Sequence, residues 1–426
     1  MSRLLGDETS EKFKGAHLIR RTIIYLCAAV LALPSQAEEE ATATDVAAPS
    51  GGGATPVSFD APGYKRRPFV VSLYMREEYD SNIFTSQFDK IASFKTVAEP
   101  EIALNISDSR SFIGARYRNS TTYYENRAGD PFDIAHYFDF TLNHEFNTRL
   151  SIDVTENFRY SQEPELSTDT AFFRREGTYI QNSFHTGASY YITRRLYWNV
   201  GFDHDYWNYK DQLFAFFLDR TSYTGSTGIN FAVSPVTTTS LNYEFIDTDF
   251  KEAPRDSISH VLYAGLIQTM SPEWTVKLQG GAEYRKAQDA PAYIGPFASL
   301  ETSWNFLPTS VLTVGYNTSL QDTNQSSFNY SQTQHAYGTV KARLTYDLTA
   351  SAGADYILNT YPGSQGVSGT TSDANETTLV YRVSLSYMFT PQWMGELGYS
   401  YTTLDSDFVG SSYNRSLTSV GMRYTY

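Results

Sequence analysis

Most of the chain, from residue 69 to the last residue, alternates between apolar and polar positions with the period of two that is typical of β-strands. In Leu196–Tyr206 the even positions are mostly apolar or aromatic, and the odd positions carry polar residues such as Asp203 and Asp205. Leu379–Phe389 shows the same alternation with its apolar face on the odd positions. This region has no helical hydrophobic period, so the pattern predicts an all-β body.

The alternating segments run to about 13 residues, which is longer than the typical strand of a soluble protein and long enough for a tilted membrane crossing. Tight turns separate them, and half of these turns contain a proline, which interrupts strand pairing. A longer polar loop lies between successive tight turns. The tight turns are predicted at 107–109, 147–149, 193–195, 234–235, 271–273, 307–309, 347–349 and 390–392.

Eight tight turns and nine longer loops together predict a barrel of about 18 strands. The barrel must close, because lipid offers no hydrogen-bond partner to the edge of a sheet. We therefore expect a transmembrane antiparallel up-and-down β-barrel with short periplasmic turns and longer extracellular loops. An even strand number places both termini on the periplasmic side.

Aromatic residues make up 15% of the chain, and 33 of them are tyrosines. Many lie near the predicted strand ends, for example the pairs Tyr206–Trp207 and Trp304–Phe306. Aromatic girdles at the two lipid interfaces are typical of membrane barrels. These pairs are therefore expected to face the membrane interfaces.

The N-terminus has the organisation of a secretory signal peptide. Basic residues precede an apolar run from Ile23 to Leu33, and small residues precede a cleavage site after Ala37. The alternative, a retained anchor helix, fits less well, because the run is shorter than the roughly 20 residues of a membrane-spanning helix. We predict a signal peptide at 1–37, a disordered periplasmic linker at 38–67 and the barrel at 68–426. Cleavage would remove the single cysteine, Cys27.

The last strand ends in a pattern that suggests how the barrel is assembled. Gly421, Tyr424 and the terminal Tyr426 resemble the C-terminal signal that the barrel-assembly machinery recognises in its substrates. With the signal peptide, this ending predicts the outer membrane of a Gram-negative bacterium as the location and its lipid as the surroundings. The formal net charge of -14 argues against nucleic acid as a partner.

Alternation also predicts which charged residues face the lumen, since the apolar face must point to lipid. The candidate lumen-facing residues are Arg116, Arg118, Asp203, Asp205, Lys277, Glu283, Arg285, Lys341, Arg343, Arg382, Glu396 and Arg423. Charges of both signs predict a hydrated interior, and about 18 strands enclose an aqueous channel unless a loop folds inward. Passage of small solutes is the favoured function. Export or assembly of a surface polysaccharide, or a structural or adhesive role, are the alternatives.

Enzymatic and metal-binding functions are not supported by the sequence. The histidines are scattered over different predicted strands, and no catalytic, cofactor-binding or metal-binding residues are predicted. Asp203-His204-Asp205 looks like a metal site, but neighbours in a strand point to opposite faces. The Asp80-Ser81-Asn82 segment is interpreted as a turn, because Asp and Asn favour local hydrogen bonds there.

The opening of the body resembles a known family. Val71 to Tyr74 leads into Tyr79-Asp80-Ser81-Asn82-Ile83-Phe84, and Val97 to Pro100 follows in the next strand. This start is similar to that of the putative β-barrel porin 2 family, although Glu99-Pro100 replaces the Ser-Pro pair expected there. The resemblance implies a single outer-membrane barrel, and a role in surface polysaccharide export is suspected for such proteins.

Overall fold

The computed structural model describes residues 67–162, 166–167, 172–173, 177–288, 290–323, 325, 328–363 and 373–426. The predicted signal peptide at 1–37 lies outside these residues, as does the predicted linker apart from Arg67.

The described residues form twenty strands and one short helix. They are β1 (Phe69–Asp80), β2 (Ser93–Ser107), β3 (Ser111–Tyr124), β4 (Phe132–Glu145), β5 (Leu150–Ser161), β6 (Leu166–Ser167), β7 (Phe172–Phe173), β8 (Tyr179–Tyr191), β9 (Leu196–Tyr209), α1 (Gln212–Leu218), β10 (Arg220–Ser234), β11 (Thr237–Phe250), β12 (Ser257–Ser271), β13 (Trp274–Ala287), β14 (Tyr293–Leu307), β15 (Ser310–Asp322), β16 (Tyr330–Arg343), β17 (Leu348–Tyr361), β18 (Ala374–Met388), β19 (Trp393–Ser406) and β20 (Tyr413–Thr425).

Eighteen of these strands make one antiparallel sheet that closes on itself. Each long strand pairs with the next one along the chain, and β20 returns to pair with β1 from Ser72↔Thr425 to Asp80↔Leu417. The remaining strands, β6 and β7, pair only with each other. The closed 18-stranded, up-and-down antiparallel barrel predicted from the sequence is confirmed.

The two ends of the barrel differ in the length of their connections. At one end β10 turns into β11 through residues 235–236 alone, whereas at the other the β5–β8 connection takes residues 162–178. The turn predicted at 347–349 lies instead at 344–347, since Leu348 already belongs to β17. The sequence assigns the long-loop end to the cell exterior and the short-turn end to the periplasm.

The inner and outer faces follow the alternation of each strand. On β13 the even positions Trp274, Leu278 and Tyr284 are exposed on the outer face, whereas Glu283 and Arg285 are buried on the inner face. Among the described residues, no helix has the length and hydrophobicity needed to cross a membrane.

The first and last strands are joined at the long-loop end by the Asp80-Ser81-Asn82 segment. The Asp80 carboxylate is fully buried and accepts hydrogen bonds from Arg415 Nε at 3.0 Å and from the Asn82 backbone N–H at 3.0 Å. Ser81 N–H donates to the Ser416 carbonyl at 3.0 Å, and Asn82 Nδ2 donates to the Asn414 carbonyl at 3.1 Å. The segment is a turn, as predicted, and it also fastens the seam of the barrel.

Gly421 makes room for an aromatic ring on the inner face of the same seam. A Cβ added at Gly421 would lie 2.7 Å from Cε2 and 2.8 Å from the hydroxyl oxygen of Tyr74, which faces it from β1. The Tyr74 ring in turn has the Arg423 guanidinium over it, 4.8 Å from its centroid. Glycine at position 421 is therefore needed for packing inside the barrel.

We expect Gly421→Ala to destabilise the refolded barrel by about 1–3 kcal/mol, because overpacking a filled site forces neighbouring side chains to move. The measurement is the urea concentration at half-unfolding in detergent micelles. Gly225→Ala is the matched control, because a Cβ there has nothing within 4 Å. Equal midpoints for the two variants would contradict the packing role.

Candidate functional site

The interior of the barrel is lined by charged side chains. Of the sequence-predicted lumen residues, Arg118, Glu283, Arg285 and Glu396 are buried, Lys341 is exposed and the others are partly exposed. Several of them are paired across neighbouring strands. Arg116 Nη2 lies 2.7 Å from Asp139 Oδ2, Lys277 Nζ lies 2.9 Å from Glu301 Oε1, and Arg382 contacts Asp355. These pairs are partly exposed apart from Asp355, so the wall presents polar groups to the lumen.

A denser group of charges lies on β1 and β2. Arg76 Nε is 2.5 Å from Glu78 Oε1, and its Nη1 is 2.9 Å from Glu99 Oε1. Lys95 Nζ is 2.8 Å from Glu78 Oε2, and all four side chains are largely buried. Glu99 belongs to the pair that departs from the family pattern, and here it completes this ion-pair network. The predicted residues Glu396 and Arg423 lie on β19 and β20 beside it.

The predicted residue Asp203 contacts His185, although the histidines are scattered over different strands in the sequence. His185 Nδ1 lies 2.5 Å from Asp203 Oδ1, and its Nε2 lies 3.0 Å from Asp153 Oδ2. His204 points to the opposite face, as alternation requires, and packs 5.1 Å from the Tyr223 ring. In the described part of the chain, no group of three or more His, Cys, Asp or Glu side chains is arranged to hold a metal ion.

Helix α1 packs against the inner face of the wall at the long-loop end. Leu218 is buried with Tyr179, Trp207 and Tyr209, which are inner-facing residues of β8 and β9. The prediction that Tyr206 and Trp207 both face the membrane interface is therefore wrong for Trp207. Adjacent strand residues cannot share a face, and only Tyr206 is exposed on the outside.

The end of β15 leaves the wall and bends inward. Pairing between β14 and β15 stops at Ala298↔Thr318, whereas β15 stays paired with β16 up to Asp322↔Tyr330. The Leu320 backbone N–H donates to Glu283 Oε2 on β13 at 3.3 Å, so β15 passes over the inner side of β14. We call Thr318–Thr323, Gln325 and Phe328–Ser331 the crossing hairpin.

The crossing hairpin makes contacts on both sides of its own strands at the long-loop end. On one side, Phe328 packs 5.4 Å from Tyr361 of β17 and 5.8 Å from Phe408 of the β19–β20 loop, measured between ring centroids. On the other side, Asp322 reaches the wall strands β10 and β13. In the 18-stranded ring, β10 and the β19–β20 loop lie nearly opposite each other, whereas β13 and β17 are four strands apart with β14, β15 and β16 between them. The crossing hairpin therefore extends from the wall at β15 and β16 into the mouth of the barrel.

Three guanidinium groups hold this hairpin at its β10–β13 side. Asp322 contacts Arg285 of β13 and lies 3.5 Å from Nε of Arg220 of β10. The third group, Arg255 of the β11–β12 loop, donates to the carbonyls of Thr323 at 2.7 Å and Asn329 at 3.4 Å. We call Arg220, Arg255 and Arg285 the arginine cluster.

Arg255 is almost completely buried and is held by carbonyl groups. Besides its bonds to the crossing hairpin, it donates to the Phe217 carbonyl of α1 at 3.3 Å and lies over the Phe250 ring. Burial lowers the pKa of its guanidinium to about 10, with repulsion from Arg220 and Arg285 acting in the same direction and Asp322 opposing it. Arg255 therefore remains charged at neutral pH and joins three loops of the mouth.

Alternation in the sequence indicated Arg285 and Glu283 but not Arg220, Arg255 and Asp322. Arg220 begins its strand and could have been assigned to the lumen by alternation. Arg255 lies in a loop, where no periodic signal exists. Asp322 lies between the tight turns predicted at 307–309 and 347–349, where a longer polar loop is expected, and nothing in the sequence indicates that this loop bends into the barrel.

Comparison with known families supports the barrel class. The family model described as "Putative beta-barrel porin 2" matches residues 56–426. The chain belongs to this family. Membership of a porin family places the protein in the outer membrane of a Gram-negative bacterium, as predicted. A comparison with the curated proteins finds no match.

Solved outer-membrane barrels are similar to this porin-family chain at low identity. OccAB4 of Acinetobacter baumannii is 10% identical with a TM-score of 0.44, and OpdK of Pseudomonas aeruginosa with vanillate is 10% identical with a TM-score of 0.46. A BenF-like porin of Pseudomonas fluorescens Pf-5 is 11% identical with a TM-score of 0.45. Each match covers 84% of this chain and 99% of the other. Scores of this size carry no functional argument.

Proposed function

We propose that this porin-family barrel is a passive channel for small hydrophilic solutes. The observation that carries the proposal is a lumen lined by charges of both signs and narrowed at its extracellular mouth by the crossing hairpin. Rows of polar groups lining the wall support a hydrated interior, because ion pairs such as Lys277–Glu301 remain partly exposed there. A constriction with charged walls selects solutes by size and charge.

The crossing hairpin favours small solutes over a polymer. A chain leaving through this mouth would have to pass a segment held to the wall at Asp322 and packed at Phe328 against Tyr361 of β17 and Phe408 of the β19–β20 loop. Export of a surface polysaccharide would require that whole segment to move aside. Diffusion of a small solute needs only the space beside it.

The proposal is tested by conductance measurements on the refolded protein. We expect discrete, ohmic current steps when the detergent-purified barrel is inserted into planar lipid bilayers, because a hydrated lumen conducts ions. Heat-modifiable migration in gel electrophoresis serves to verify that the barrel is folded before insertion. Folded, inserted protein that gives no current above that of the detergent control would rule out the channel function.

A further inference from the structure

The arginine cluster has more positive charge and more donors than the hairpin carboxylate uses. Three guanidiniums approach one another around Asp322, and Glu283 and Asp205, which interacts with Arg220, are further carboxylates on that part of the wall. Glu283 accepts a hydrogen bond from the Leu320 backbone N–H at 3.3 Å. Within the described residues, the buried Nε atoms of Arg255 and Arg285 have no hydrogen-bond partner. A buried donor without an acceptor is costly, and such groups mark places where a ligand or water is accommodated.

The cluster and the carboxylate belong to different parts of the molecule. Arg220 and Arg285 project from β10 and β13, and Arg255 comes from the loop between β11 and β12, so the cluster is built by four consecutive wall strands. Asp322 comes from β15 and reaches the cluster only because the crossing hairpin bends inward over β14. The three arginines can therefore stay together when the hairpin moves.

From this separation we propose that the arginine cluster is an oxyanion-binding site of the channel, which Asp322 occupies while the crossing hairpin is docked. A small anion with a carboxylate or phosphate group takes the place of Asp322. Guanidinium groups suit this role because their planar forks bind such oxygens in pairs. The inference rests on the proposed channel function, since it assigns the kind of solute recognised at the channel's mouth.

Replacement of Asp322 by a free anion would also release the hairpin. Thr323 and Asn329 hold Arg255 through carbonyl oxygens, and both residues belong to the crossing hairpin. When the hairpin leaves, the Nη2 donors of Arg255 become available to the incoming anion together with the unused Nε atoms. Anion binding and hairpin docking are thus mutually exclusive, and each anion bound favours the open mouth.

The test is isothermal titration calorimetry of the refolded full chain in detergent with inorganic phosphate. A site that is mostly occupied by an internal ligand binds an external one with an affinity reduced by the fraction of time the site is free. We therefore expect Asp322→Asn to bind phosphate at least about tenfold more tightly than the unmodified protein. Adding Arg285→Gln to that variant should abolish the gain. Asp322→Ser replaces Asp322→Asn if the amide variant does not refold.

Asp139→Asn is the matched control, because it removes a lumen carboxylate from Arg116 outside the arginine cluster. Its phosphate affinity should equal that of the unmodified protein. The site assignment is overturned if Asp322→Asn binds no more tightly, or if Arg285→Gln leaves the gain intact. Calorimetry measures phosphate binding independently of conductance. Phosphate binding without conductance would therefore contradict only the proposed channel function. Conductance without phosphate binding would contradict only the oxyanion site.

Discussion

Arg255→Met should open the extracellular mouth and raise the single-channel conductance well above that of the unmodified protein. Methionine keeps an unbranched apolar chain over Phe250 but cannot donate to the carbonyls of Phe217, Thr323 and Asn329. Each buried acceptor left without a partner costs about 1–3 kcal/mol. Losing even one such bond shifts the equilibrium between the docked and the undocked hairpin toward the undocked state by about tenfold, since 1.4 kcal/mol is a factor of ten in an equilibrium constant. Planar-bilayer recordings at fixed salt measure the effect.

The control for this prediction lies in the same loop. Lys251→Met also replaces a cation by methionine, but Lys251 is exposed and its Nζ lies 3.7 Å from Asp219 Oδ2. Its conductance should stay at the unmodified value. If folded Arg255→Met protein conducts no more than Lys251→Met, the hairpin is not held by Arg255 and the constriction must be explained differently.

The barrel itself could be predicted because alternation and tight turns are local to the sequence, and because lipid offers no hydrogen-bond partner to an open sheet edge. Each strand shows which of its faces contacts lipid, and each tight turn is short enough to force neighbouring strands to pair. The placement of Lys277, Glu283 and Arg285 on one face follows directly from Trp274 and Leu278 on the other. Such reasoning needs no knowledge of contacts between distant strands.

The mouth could not be predicted because it depends on distant contacts between loops. Arg255 is bound by carbonyls of residues 217, 323 and 329, and a carbonyl is present at every residue of a chain. No residue pattern therefore identifies its partners. His185 is an intermediate case. Alternation could have placed it on the same face as Asp153 and Asp203, but only the strand register brings the three together.

The seam between β1 and β20 combines local and distant contacts. The Asp80-Ser81-Asn82 turn was visible in the sequence, and the resemblance to the family rests on it. Its contacts with Arg415, Ser416 and Asn414 were not visible, because they join the two ends of the barrel. The segment that carries the resemblance to the family thus also joins the first strand to the last.

Asp80→Ala should therefore destabilise the barrel strongly. Asp80 is fully buried, and Arg415 Nη2 lies 2.5 Å from its Oδ2. Removing one member of a buried ion pair costs about 3–5 kcal/mol, because the remaining charge is left without compensation. Lys95, 3.4 Å from Asp80, retains Glu78 at 2.8 Å, so the loss falls mainly on Arg415. The urea concentration at half-unfolding of the refolded protein measures this loss of stability.

A double-mutant cycle separates the seam contact from a general effect of the substitution. Arg415→Ala alone should also be destabilising, and the double variant Asp80→Ala/Arg415→Ala should lose less than the sum of the two, because neither charge is then left alone. Asp405→Ala provides the control, since Asp405 is exposed at the end of the neighbouring strand β19. Additive losses in the cycle, or an unchanged midpoint for Asp80→Ala, would show that the turn forms without fastening β1 to β20. A coupled loss would show that closure of this barrel depends on an ion pair between the first strand and the last.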